Sequence, residues 1–209
     1  MAAANVRPVI VFDLFGVIAR NQTEDDKRKL ERIAGVAGDA PAEAAFWNVY
    51  WACRPPYDAG QSSLDYWSTV TRELGVTYSK EIVAALIEAD LASWCDVDER
   101  MVALIAEIGA SGRTIGLLSN IILDLVPIFE AKHGGWLRHF HALTYSCRIG
   151  VAKPDPRAYR ICAERLGVAT SEALFFDDNE RNVLAARQAG MAAEVFTSPE
   201  QVRERLGLP

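Results

Sequence analysis

Asp13 closes an apolar run, Val9-Ile10-Val11-Phe12, and is followed by Leu14-Phe15-Gly16-Val17-Ile18. A β-branched run ending in a carboxylate and a glycine turn reads as a buried strand with an acid at its C-terminal mouth. Open α/β sheets bind ligands at that mouth. A carboxylate there can attack phosphorus and can ligate Mg²⁺ through its other oxygen. Three more polar groups punctuate later apolar runs. Ser119-Asn120 follows Ile115-Gly116-Leu117-Leu118, Lys153 sits in Gly150-Val151-Ala152-Lys153-Pro154-Asp155-Pro156, and Asp177-Asp178 follows Leu174-Phe175-Phe176. A hydroxyl and backbone N–H groups at such a turn can hold a phosphoryl oxygen. A lysine facing carboxylates offsets their repulsion and the charge of a transition state. Adjacent carboxylates repel unless a cation lies between them, and Mg²⁺ suits one or two of them. Their order suggests phosphoryl transfer through an aspartyl intermediate.

Each residue also has an ordinary structural use. Asp13 serves as a turn or cap residue, Ser119 as an N-cap and Lys153 as a surface lysine. One of Asp177 and Asp178 serves as the cap of a helix starting near Glu180. The ordered set carries the chemistry, so the elements that would gather it matter most.

The chain reads as alternating α and β from about residue 97. Asp98 caps a helix with Met101, Leu104, Ile105 and Ile108 on one face. A strand from Thr114 to Leu118, a helix over about 122–132 and a strand from Ala142 to Tyr145 follow. Pro156 opens the next helix with Asp155 as its cap. A strand from Ala173 to Phe176, a helix to Gly190, a strand around Glu194 to Phe196 and a helix capped by Ser198 complete the chain. This alternation predicts an α/β, Rossmann-like parallel sheet with helices on both faces. Residues 22–93 contain no convincing strand. They read as four helices, opened by a Thr23–Asp26 capping box, Pro41, Ser62 or Ser63, and Ser79, and look like an inserted small α-helical subdomain. The expected division is a core of residues 1–21 and 94–209, with 22–93 inserted.

The sequence of motifs, strand-Asp-x-x-Gly-Val, Leu-Leu-Ser-Asn, Lys-Pro-Asp-Pro-x-x-Tyr and Phe-Phe-Asp-Asp-Asn, resembles the signature of the haloacid dehalogenase-like hydrolase superfamily. The helical block lies where that superfamily inserts its small cap. The resemblance implies Mg²⁺, an aspartyl-phosphate intermediate and a mobile cap. It implies Asp13 as nucleophile and metal ligand, with the Phe15 backbone carbonyl, Asp177 and Asp178 as further ligands. Ser119 and the Asn120 N–H would hold phosphate, and Lys153 would orient nucleophile and phosphoryl group.

Most phosphatases of the superfamily carry a second Asp two residues after the nucleophile, as general acid and base. Here that position is Phe15, and general acid–base catalysis is typically worth about 10²–10⁴-fold. The Asp-Leu start and Phe-Phe-Asp-Asp-Asn ending resemble a branch acting on sugar 1-phosphates, whose anomeric oxygen leaves without strong assistance. A 2-haloacid dehalogenase is the second reading, since halide needs no proton. That branch, however, works without metal and resembles Ser-Ser-Asn where this chain has Asp177-Asp178-Asn179. A non-catalytic phospholigand-binding or regulatory protein is the third.

Specificity is expected in the helical block, where Phe46, Trp47, Tyr50, Trp51, Tyr57 and Trp67 read mostly as core. Arg54 and Tyr57, in an apparent Pro-rich turn, are the candidate substrate contacts. His139 and His141 read as a surface edge, and no Cys/His cluster has zinc spacing.

The 209 residues are 50% hydrophobic with a net charge of -6, which argues against nucleic acid or an anionic membrane as partner. No run is long enough to span a bilayer, and Met1-Ala2-Ala3-Ala4-Asn5 lacks a signal-peptide pattern. Cys53, Cys95, Cys147 and Cys162 read as free thiols. The expectation is a cytoplasmic enzyme, monomer or homodimer, acting on a small phosphorylated metabolite.

Overall fold

The computed structural model describes residues 8–208, so the reading of Met1–Asn5 lies outside the described residues. Among the described residues, five strands form one parallel sheet: β1 (Val9–Phe12), β2 (Ile115–Ser119), β3 (Ala142–Tyr145), β4 (Ala173–Asp177) and β5 (Ala192–Val195). Their order is β3-β2-β1-β4-β5. The chain thus starts in the middle and crosses to each side in turn. This reversal of direction beside β1 opens a crevice at the C-terminal sheet edge. Successive side chains of β1 enter opposite layers. Ile10 and Phe12 join one buried cluster, Val9 and Val11 the other. Both layers are covered by helices, which explains why β1 reads as a continuous apolar run.

Between β1 and the first core helix lie five helices: α1 (Glu24–Ala34), α2 (Ala40–Ala52), α3 (Arg54–Asp58), α4 (Ser63–Leu74) and α5 (Lys80–Ser93). Thr23 and Asp26 form the expected capping box of α1, and Gly35 ends it in the left-handed region. Asp39, two residues before Pro41, caps α2, while Ser62 and Ser79 cap α4 and α5. The supposed turn Arg54-Pro55-Pro56-Tyr57 is instead the helix α3, because prolines fit a helix's first turn. Phe46, Tyr50, Tyr57, Tyr66 and Trp67 are fully buried in this block and belong to the same apolar cluster as Ile10 and Phe12.

The segments entering and leaving the block run side by side. Ala19 bridges Val97 in antiparallel fashion, Arg20 N–H donates to Asp96 O, and Asp98 N–H donates to Ile18 O. The remaining helices are α6 (Glu99–Ala110), α7 (Leu125–Leu137), α8 (Ser146–Ile149), α9 (Pro156–Arg165), α10 (Glu180–Gln188) and α11 (Pro199–Leu206). Helix α7 extends five residues beyond its expected end, and β5 begins two residues earlier than expected. All four cysteines are free. No helix among the described residues is long and apolar enough to cross a membrane.

Candidate active site

The parallel register sets the site. Phe12 is level with Leu117 and with Phe176, so Asp13 and Asp177 are level at the C-terminal edge and Ser119 ends β2 one residue further along. Asp13 N–H donates to Phe176 O at 2.8 Å, which places Asp13 beside Asp177. Ser119 and Asp177 are the last residues of β2 and β4. Lys153 arrives from the loop after α8. Asn120 fixes its backbone by accepting from Lys153 N–H at 2.8 Å and donating to Lys153 O at 2.9 Å.

Lys153 Nζ lies 2.7 Å from Asp13 Oδ1 and 2.6 Å from Asp177 Oδ2. Both carboxylates and the ammonium are buried. Asp13 Oδ1 also accepts from Leu14 N–H at 2.6 Å. Asp177 is held further by Asn179 N–H at 2.8 Å and by Asn182 Nδ2 at 3.1 Å to each oxygen. Carboxylate oxygens of Asp13, Asp177 and Asp178 lie within 4.8 Å of one another.

Burial pushes the Asp13 carboxyl well above the usual range; Lys153 opposes this and Asp177 adds to it. For Lys153, burial works against the charge, but Asp13 and Asp177 outweigh it and hold it as ammonium above its ordinary range. Asp178 is raised by burial and then by Asp177. Three carboxylates, Asp13 and Asp177 buried and Asp178 exposed at the rim, face one ammonium and leave an excess of negative charge. A hard divalent cation among these oxygens is the chemistry that relieves it. The donor set therefore fits Mg²⁺.

Gly16 has φ +79°, and a Cβ there would overlap the Asp178 carboxylate. The turn after Asp13 thus needs glycine for its conformation and for the approach of Asp178. Asp178 does not cap α10; Asn179 does, accepting from Arg181 N–H. Asp178 instead accepts from Asn21 Nδ2 at 3.5 Å. The Ser119 hydroxyl is fully buried with no hydrogen-bond partner among the described residues. An unpaired buried hydroxyl costs about 1–3 kcal/mol, and a ligand oxygen would satisfy it.

A cavity of about 520 Å³ opens over this edge. Asp13, Asn120, Lys153 and Asp178 line it from the sheet side, Trp51, Arg54 and Asp58 from the helical block, and Trp94 from the residue just after that block. Phe15 also lines it, edge-on to Trp94 with ring centroids 5.2 Å apart. Phe15 thus closes an aromatic wall.

Arg54 reaches this wall, but as a buried residue. Its Nε donates to Asp58 Oδ1 at 2.9 Å and an Nη to the Tyr50 hydroxyl at 2.7 Å. Tyr50 in turn donates to the buried Asp90 at 2.6 Å. The guanidinium carbon lies 5.3 Å from the centroids of Tyr57 and Trp94. Tyr57 is a correction: its ring is fully buried, stacked on Tyr66 at 4.0 Å, with its hydroxyl bonded to Ser63, and it does not line the cavity. Helical winding of α3 turns it inward. Sequence reasoning missed Asp58, Trp51, Trp94, Asn21 and Asn182. Asp58 had a signal, since Arg54 and Asp58 stand at i,i+4 spacing. His141 is exposed, its Nδ1 accepting from Ile115 N–H at 3.2 Å, and belongs to no metal cluster among the described residues.

A model of the haloacid dehalogenase-like hydrolase family matches residues 8–190. The chain is 54% identical over 56 residues to Phosphatase MT3486 of Mycobacterium tuberculosis, covering 27% of this chain and 26% of that protein. It is 36% identical over 92 residues to a phosphoserine phosphatase of Thermus thermophilus, covering 44% and 36% of the two chains. These matches span well under half of either relative's length. Among solved structures, the HAD family enzyme BT-2542 of Bacteroides thetaiotaomicron, in complex with magnesium and inorganic phosphate, superposes with a TM-score of 0.68 at 19% identity, covering 91% and 94% of the chains. The L-2-haloacid dehalogenase of Xanthobacter autotrophicus superposes with a TM-score of 0.60 at 19% identity, covering 96% and 82%. At these identities both share the fold. With the family model covering most of its length, this chain belongs to the haloacid dehalogenase-like hydrolase family.

Proposed function

We propose that the protein is a Mg²⁺-dependent phosphomonoester hydrolase that works through an aspartyl-phosphate on Asp13. The observation that carries this is the buried Asp13–Lys153–Asp177 chain with Asp178 alongside, at the sheet edge. One oxygen of Asp13 is held by Lys153 and Leu14 N–H, while the other has no hydrogen bond among the described residues. Asp13 then attacks phosphorus with the free oxygen, forming the O–P bond as the substrate's ester oxygen departs. Lys153 fixes the carboxylate's orientation and offsets charge on the phosphoryl group. Ser119 Oγ, unpartnered as it stands, and the Asn120 N–H hold phosphoryl oxygens. Mg²⁺, ligated by Asp13, Asp177, Asp178 and the Phe15 carbonyl, would neutralise phosphate charge and draw electron density from phosphorus. The acidic cluster favours this over the dehalogenase reading, which needs no cation.

The residues 22–93 act as a cap on the 1–21 and 94–209 core, hinged at the paired segments near Ala19 and Val97. The cavity wall supports a small phosphorylated metabolite whose leaving group is a ring. Trp51, Trp94 and Phe15 present apolar faces, and Phe15 cannot protonate a departing oxygen. Arg54 is already paired with Asp58, which disfavours substrates bearing a carboxylate beside the phosphate. Sugar 1-phosphates and aryl phosphates, whose oxygens leave readily, fit this wall. The test is phosphate release under Mg²⁺ from aryl, sugar 1- and alkyl phosphates. The expected order places the first two at least about 10²-fold above the alkyl esters in kcat/KM. Equal rates on all three would contradict the proposed leaving-group preference.

A further inference from the structure

Phe15 removes the family's usual proton-transfer group, yet the second half of the proposed reaction requires one. Water must attack the aspartyl-phosphate, and it is a poor nucleophile without a base. Within the cavity, the carboxylates outside the acidic cluster are Asp58 and Glu180. Glu180 belongs to the exposed first turn of α10. Asp58 comes from the opposite side, at the end of α3, with its side chain only 14% exposed. It is positioned from two directions. Arg54 Nε holds Oδ1, and Ser146 Oγ donates to the Asp58 backbone carbonyl at 2.5 Å.

We propose that Asp58 is the general base of the second half-reaction. It takes a proton from water as the water oxygen bonds to phosphorus and the bond from phosphorus to Asp13 breaks. Inorganic phosphate and a free Asp13 carboxylate result, and Asp58 returns the proton to solvent. Its ion pair with Arg54 keeps it a carboxylate, which suits a base and not the acid of the first half-reaction. That division matches a leaving group that departs unprotonated. Burial makes this carboxyl more basic than an exposed one, with Arg54 opposing, Asp90 adding and Lys153 opposing. The inference rests on the phosphatase reading above.

The test is pre-steady-state hydrolysis of p-nitrophenyl phosphate with Mg²⁺ by the wild type and by Asp58→Asn, Asp58→Glu and Glu180→Gln, with intact-mass analysis of each. Asp58→Asn should release about one equivalent of nitrophenolate per site in a burst, then slow at least about 10²-fold. It should also carry one added phosphoryl group, which Asp13→Asn abolishes. Asp58→Glu should recover part of the steady-state rate. Three results would overturn the inference: loss of burst and steady state together in Asp58→Asn, wild-type kinetics in Asp58→Asn, or accumulation of phosphoenzyme in Glu180→Gln alone. A wild type that releases no phosphate from any ester would instead overturn the phosphatase reading itself.

Discussion

At the scale of single residues, the site is organised by charge in a place with little water. Lys153 is wedged between Asp13 and Asp177 at 2.7 and 2.6 Å, and removing one partner of such a buried pair leaves an unpaired charge. That loss typically costs about 3–5 kcal/mol. Gly16 shows how steric constraint serves the same site. Gly16→Ala forces a left-handed φ on an L-residue and pushes the Asp178 carboxylate aside. It should weaken Mg²⁺ binding, read by isothermal titration, and destabilise the fold by about 1 kcal/mol or more. Unchanged Mg²⁺ affinity would show that Asp178 is not a ligand. Much of this scale was legible in the sequence, because strand-end residues Asp13, Ser119 and Asp177 must share an edge once the strands are parallel. Asn21 was not, because it meets Asp178 across 157 residues, and for Asp58 only the pairing with Arg54 was legible, not the anchoring by Ser146 across 88 residues. Asn182 lies only five residues from Asp177, but nothing in its residue type marks it as that carboxylate's partner.

At the scale of elements, caps and turns decide where side chains point. Most helix starts were readable from their Ser, Thr and Asp caps, since these satisfy orphan N–H groups locally. Helix α3 was misread because its two prolines signal a turn as well as a first helical turn. The consequence was Tyr57, which α3 rotates into the core while Arg54 and Asp58, one turn apart, share the cavity wall. Asp155 illustrates a cap with a pH signature. It accepts from Arg157 N–H at the start of α9, and its carboxyl is pulled down to about 2, first by its hydrogen bond to the Arg157 side chain. A carboxylate lowered in the folded state contributes stability above its unfolded pKa, and that contribution is lost as pH falls through the folded value. Asp155→Ala should therefore lower Tm at pH 5 to 7, with the difference from wild type shrinking toward pH 2. A difference independent of pH would contradict the assigned role of its charge.

At the scale of the whole molecule, the sheet order brings the acidic cluster to the crevice beside β1, and the helical insertion covers it. The alternation of α and β made this architecture legible before any contact was known. The shared buried cluster was not legible, because it joins Phe12 of the sheet to Phe46 and Trp67 of the insertion across long sequence separations. The insertion supplies Trp51, Arg54 and Asp58, so the cavity is lined from both parts. The central claim is that Asp13 forms a covalent bond to phosphorus with the help of a divalent cation. Its most direct test is phosphate release from an aryl phosphate by wild type and Asp13→Asn, with Mg²⁺ and with chelator. The account predicts turnover by the wild type with Mg²⁺ alone, and a loss of at least about 10³-fold in Asp13→Asn and with chelator. Turnover that survives in Asp13→Asn, or that ignores the metal, would contradict it.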